Sequence, residues 1–145
     1  MFAEQINVKG AVTIQVFDKS GAVKETREIK NLVVTTGKEF IAARMVGTPT
    51  AMSHMALGAA NTAAANGDTA LGSELGRVSL ASAAASGAVV TYTASFPAGT
   101  ATGAVVEAGI LNASSSGTLL CRTVFSVVNK GADDAMSVTW AITVS

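Results

Sequence analysis

Four charged residues stand where the rest of the pattern predicts buried strands or the end of a loop. Glu107 and Arg122 each interrupt an apolar segment, and a short turn joins the two segments. A charge in a buried strand needs a partner, because burying an unpaired charge is costly. Glu74 and Arg77 directly follow a long irregular segment, residues 59–73. We predict that the four residues form ion pairs that hold this segment against the sheet; the alternative is four separate surface charges.

The residue types that usually perform catalysis are scarce. His54 is the single histidine and lies in a short apolar segment, while Cys121 is the single cysteine and is expected to be a buried thiol. Asp133 and Asp134 are adjacent in a glycine-containing turn, which predicts two solvated carboxylates. No serine-nucleophile, phosphate-loop, dinucleotide or zinc pattern occurs. We therefore expect no enzymatic activity, no cofactor and no metal site.

The composition of the chain limits the kinds of partner that we expect it to bind. The chain has 145 residues, is 49% hydrophobic and only 14% charged, and its formal net charge is zero. Nucleic-acid binding normally requires a basic surface, so we expect no nucleic-acid partner. We also expect no membrane partner and no leader, because no long apolar run or secretion pattern occurs. A neutral chain has little self-repulsion, which favours a homo-oligomer or a larger assembly.

Alternating apolar and polar residues predict a mainly β fold. The alternation is clear in residues 12–16, 90–96 and 136–144, and Gly-, Ser- and Asn-rich turns separate the strands. Residues 10–30 read as a hairpin whose second strand is charged on both faces, which is typical of a sheet edge. Residues 83–87 are predicted to be a turn. The expected architecture is a β-sandwich or open β-barrel of about seven to eight strands with one short helix.

The organisation is an N-terminal arm, residues 1–8, followed by a single β-rich domain, residues 9–145. Thr36 and Glu39 have the spacing of a capping box, which predicts the start of the one helix. Residues 59–73 are a long loop, and loops of this length in compact domains are usually functional or flexible.

Several short segments together resemble the virion structural proteins of tailed bacteriophages. The pattern is similar to a leucine-glycine, leucine-x-x-glutamate-x-x-arginine and glutamate-x-glycine-leucine-phenylalanine series in phage tail-collar and fibre-attachment domains, although Ile110-Leu111 replace leucine-phenylalanine here. The resemblance implies a non-enzymatic, multi-copy virion protein that assembles in the bacterial cytoplasm. It rests on Asn31-Leu32-Val33-Val34, Thr36-Gly37, residues 55–58, residues 68–77, residues 92–96, residues 107–112, residues 117–122 and residues 138–142.

Two places in a virion are compatible with this resemblance. One is a capsid decoration (cement) protein that binds the major capsid protein where capsomers meet. The other is a tail, baseplate or fibre-attachment component that contacts tail proteins. We favour decoration, because the sequence shows an arm and a small-residue loop but no fibre repeat after its last predicted strand. The candidate assembly contacts lie in the arm and the loop: Phe2, Ile6, Val8, Asn61, Asn66 and Asp68.

A ligand-binding β-sandwich is the alternative from another class of function. Small-molecule and carbohydrate sites favour accessible aromatic side chains. Trp140 and Tyr92 both fall on strand faces that are predicted to be buried, so the sequence gives this alternative little support.

Overall fold

A computed structural model describes residues 5–145 and contains nine strands and one helix in this range. The mainly β fold with a single helix is therefore confirmed. The elements are β1 (Val8–Phe17), β2 (Val23–Val33), α1 (Thr35–Arg44), β3 (His54–Gly58), β4 (Glu74–Ser79), β5 (Ser82–Ser86), β6 (Val89–Phe96), β7 (Gly103–Leu111), β8 (Leu119–Lys130) and β9 (Ala135–Val144).

The alternating residues of β1 and β9 form the centre of the core. The two strands pair antiparallel, with Val12 opposite Trp140 and Ile14 opposite Val138. All four side chains are buried, while their sequence neighbours face the other side of the sheet. Burial of these large apolar groups is the main driving force for closing the sheet over itself.

The strands form one antiparallel sheet in the order β4-β3-β7-β8-β2-β1-β9-β6-β5, curled into a half-barrel. β2 joins the two halves, because it pairs with β1 along its length but with β8 only at Leu32 and Val33. The connection between β4 and β5, at opposite ends of this order, is only residues 80–81. The two ends of the sheet must therefore approach each other at this connection.

Two predictions about the strands were wrong. The β1–β2 hairpin lies in the middle of the strand order rather than at its edge. The charges on β2 are still explained by an exposed edge, because residues 23–31 have no hydrogen-bonded strand on the side that faces β8. Residues 82–86 form strand β5 instead of a turn, which brings the count to nine. Alanine and serine carry no strong strand signal, and pairing with β6 decides their conformation.

The predicted capping box is also wrong. Helix α1 begins two residues earlier than the capping box predicts, its N-cap residue is Val34, and no side chain caps it. The Thr36 hydroxyl instead donates to the Leu119 carbonyl oxygen at 2.9 Å, and Glu39 is exposed. Gly37 is buried on the same face, where an added Cβ would collide with the Leu120 carbonyl group. The helix start is thus determined by close packing on β8 rather than by a local cap.

We expect Gly37→Ala to destabilise the protein by about 1–3 kcal/mol, because the added methyl group would force α1 away from β8. The direction is opposite to that in an exposed helix, where alanine is favoured over glycine. Urea unfolding would measure the change. Gly67→Ala is the matched control, since nothing lies within 4 Å of a Cβ at that position. Equal stability of the two variants would contradict the packing explanation.

Candidate functional site

The side chain of Glu107 is the centre of the most connected polar cluster in the described chain. It projects from β7 and is fully buried. One carboxylate oxygen accepts hydrogen bonds from the backbone N–H groups of Ala60 and Ser73 at 2.9 and 2.8 Å. The other accepts from the backbone N–H of Gly72 at 2.8 Å and from Arg122 Nε at 3.0 Å. The negative charge is thereby matched by four donors, three of them in the loop.

Arg122 holds the middle of the same loop. Its side chain projects from β8 and is only 3% exposed. Besides the bond to Glu107, Nη1 donates to Asp68 Oδ2 at 2.9 Å and Nη2 donates to the Thr62 carbonyl oxygen at 3.0 Å. A planar guanidinium suits this task, because its donors point in fixed directions.

The surroundings keep Glu107 ionised. Burial alone would raise its pKa, but the hydrogen bonds from Ala60, Gly72, Ser73 and Arg122 together hold the pKa below its ordinary value. The native protein therefore carries a carboxylate–guanidinium pair here, with every bond strengthened by charge.

Residues 59–73, called the anchored loop below, connect β3 to β4 without a strand or helix, with the bounds that the sequence predicted. Further contacts fix the loop's shape. The Ala65 N–H donates to Asp68, and the Asn66 carbonyl accepts from the Thr35 N–H at 2.8 Å. Leu71 is buried in a small apolar cluster with Val34, Ala56, Leu111 and Leu119. The loop is thus held at both ends and in the middle.

The second predicted pair is separate from the first. Arg77 Nη2 lies 2.7 Å from Glu74 Oε1, within β4. Arg77 Nη1 also donates to the carbonyl oxygens of Ala113 and Ser116, at 2.8 and 2.9 Å, in the turn between β7 and β8. Glu74 and Arg77 therefore tie β4 to this turn, whereas Glu107 and Arg122 bind the loop. The four residues form two pairs rather than one network.

The candidate assembly contacts differ in their surroundings. Asn61 and Asn66 are exposed on the anchored loop, and Ile6 is 76% exposed before β1. Asp68 is half-buried because it pairs with Arg122. Val8 is the first residue of β1 and packs against the core, so the arm does not extend to residue 8 as predicted. Phe2 lies outside the described residues.

Sequence reasoning missed a second buried charge. The Nζ atom of Lys130 donates to the carbonyl oxygens of Pro97 and Asp134, at 2.9 and 2.7 Å, and burial lowers its pKa. Asp134 pairs with Lys24 at 2.7 Å, and this bond lowers its pKa. The expectation of a solvated Asp134 was therefore wrong. The sequence does contain a signal for this buried charge: Lys130 lies two residues after Val128 and therefore on the same face of β8 as that buried side chain.

The remaining candidates for chemistry have simple polar surroundings. The ring nitrogens of His54 lie 2.7 Å from the Ser53 hydroxyl and 3.4 Å from the Ser79 hydroxyl. The Cys121 thiol is buried, which raises its pKa. Across residues 5–145, no group of three or more His, Cys, Asp or Glu side chains is placed to hold a metal ion. The one helix in that range lacks the length and apolar character needed to cross a membrane.

Comparison of the chain with protein-family models, with curated proteins and with solved structures finds no match.

We expect Glu107→Gln to destabilise the protein by about 3–5 kcal/mol, because it leaves the buried Arg122 with only the half-buried Asp68 as a charge partner and turns an amide NH2 toward the N–H donors of the loop. The loop should at the same time become a site of rapid proteolysis. The matched control is Glu74→Gln, which breaks a partly exposed pair and should cost less than about 1 kcal/mol. Chemical unfolding and limited proteolysis measure both effects. If the two variants lost equal stability, Glu107 would not be the anchor.

The lowered pKa of Glu107 gives a pH dependence of known sign. Its contribution to stability is complete above the ordinary pKa of 4.5 and is lost as the pH falls through the lower folded-state value. The difference in unfolding free energy between wild type and Glu107→Gln should thus be constant near neutral pH and shrink as the pH falls below 4.5. A difference that stays constant as the pH is lowered further would contradict this account. Comparison with the variant removes the acid sensitivity contributed by Asp18 and Asp134, whose pKa values are also lowered.

Proposed function

We propose that this chain is a non-enzymatic structural protein of a tailed-phage virion, and specifically a capsid decoration protein that binds the head shell where capsomers meet. The observation that carries the proposal is the anchored loop: fifteen residues without a helix or strand, fixed by a buried ion pair and three backbone bonds to one carboxylate. The resemblance to phage virion proteins supplies the class of assembly.

The loop is held in one conformation before it meets a partner, which favours binding to another protein surface. A flexible loop loses conformational freedom when it docks, and this loss weakens the complex. Here the buried Glu107 and Arg122 already restrict the loop, while Asn61, Asn66 and Thr69 remain exposed. A pre-organised surface of small and amide side chains suits close approach to another protein surface.

Many copies would act together on a shell. Each contact can be modest, because simultaneous engagement of several sites greatly exceeds single-site affinity. Because the net charge is zero, long-range attraction of this protein to nucleic acid is weak. Nucleic acid would therefore compete little with the shell surface for binding to this protein.

The binding surface can be tested with heads that lack the protein. Wild-type protein added to such heads should bind in many copies, and binding should protect the exposed side chains of residues 59–73 from hydroxyl-radical labelling. We expect Asn66→Arg to weaken binding at least about tenfold without loss of stability, because a protruding charge would be desolvated at the contact. Ala104→Arg, at an exposed alanine of β7 outside the loop, is the control. Cosedimentation measures binding.

Equal labelling of the loop in free and bound protein would contradict its role as the contact. Immunogold electron microscopy of intact virions tests the location itself. Labelling over the head at high copy number agrees with the proposal. Labelling confined to the tail or collar, or no labelling, would overturn it.

A further inference from the structure

The described sheet has two outer edges, β4 and β5, and a gap between β2 and β8 where neither strand has a ladder partner on the facing side. The free side of β2 carries alternating charges, from Lys24 to Lys30. The guanidinium of Arg27 also donates to the carbonyl oxygens of Ser126 and Val127 in β8, at 3.2 Å each. Charges on an edge and covered carbonyl groups both discourage pairing with another strand.

The β4 edge is protected in a different way. Gly76 packs so closely against the backbone of Ala101 that an added Cβ would lie 2.9 Å from the Ala101 nitrogen. Glu74 and Arg77 also place an ion pair on this strand. A second strand approaching β4 would therefore meet two charges, while Ala101 already covers one face of this strand.

The β5 edge has no such protection in the part of the chain that the structure describes. β5 pairs with β6 on one side, and all five of its residues are exposed. No charged residue and no bulge interrupts it; in fact the sequence contains no Asp, Glu, Lys or Arg between Arg77 and Glu107. Proteins usually blunt such an edge, so an open, uncharged edge indicates a strand that receives a partner.

The sequence of β5 indicates which partner fits. The strand reads Ser-Ala-Ala-Ala-Ser and is therefore the same in both directions. An antiparallel copy centred on Ala84 would place alanine opposite alanine and serine opposite serine, with no charge repulsion. Two-fold symmetry requires a surface that is complementary to itself, and this strand satisfies that condition.

We propose that β5 is a homotypic docking strand, which pairs antiparallel with β5 of a second copy about a two-fold axis at Ala84. The pairing would join two nine-stranded sheets edge to edge. Because five residues bury little surface, the dimer should be weak and concentration-dependent. The inference does not depend on the proposed role in a virion.

The proposed β5 pairing can be tested by placing a positive or a negative charge at the two-fold axis. In Ala84→Lys and in Ala84→Glu, like charges would face each other across the two-fold axis. We expect the dimer dissociation constant of each variant alone to rise at least about tenfold. An equimolar mixture of the two should recover the dimer as a heterodimer. Analytical ultracentrifugation over a concentration series, with native mass spectrometry of the mixture, measures both results.

Ala104→Lys is the matched control, since it adds the same charge at an exposed alanine of β7, opposite Asn129 of β8 and away from β5 in the strand order. It should leave the dimer unchanged. A wild-type protein that stays monomeric at the highest soluble concentration would overturn the proposal. An Ala84→Lys variant that dimerises as well as wild type would overturn it too, because another surface would then be the interface.

A cysteine pair provides a measurement that does not rely on added charge. Residues directly opposite across an antiparallel pair are close enough for a disulfide bond. Oxidised Ala84→Cys should therefore form a covalent dimer, whereas Ala104→Cys should not. The buried Cys121 does not compete in folded protein. Equal crosslinking of the two variants would contradict pairing at β5.

Discussion

The buried carboxylate of Glu107 is the constraint on which the candidate site depends. An ionised group taken out of water is stable only when it is fully hydrogen-bonded and its charge is matched. In this protein Arg122 supplies the charge, and the anchored loop supplies three backbone N–H groups. The loop therefore cannot leave the sheet without exposing the pair to an incomplete set of partners, so loop and sheet should open together.

Glycines and a short strand junction surround the buried pair. Leu32 of β2 lies opposite Arg122, at the short junction where the two halves of the sheet meet. Gly58 lies opposite Glu107, and a Cβ there would come within 2.5 Å of the carboxylate. Gly109 similarly leaves room for Leu71 of the loop. Small residues thus create the space in which two long charged side chains lie between the sheet and the loop.

The features that could be predicted from the sequence are those that depend on a local pattern of residues. Alternation predicts β1, β6 and β9, and the absence of any pattern gives the loop its bounds. The Glu107–Arg122 pair is also predictable, because a charge inside an apolar run implies a partner. The Leu119 carbonyl oxygen that accepts the hydrogen bond of Thr36, and the Pro97 carbonyl oxygen that accepts from Lys130, belong to segments distant in sequence. No local pattern contains those partners, so the cap and the second buried charge could not be assigned in the same way.

The anchored loop and the β5 edge belong to different halves of the sheet. The loop bonds to β7 and β8, whereas β5 lies at the other end of the strand order, beside β6. Pairing at β5 would therefore make no direct use of the loop, and each copy of the proposed dimer would keep its own loop exposed. Such a dimer would be bivalent, and bivalence would convert modest contacts into strong retention on a repeating surface. The two proposals are thus compatible, and neither requires a large apolar interface.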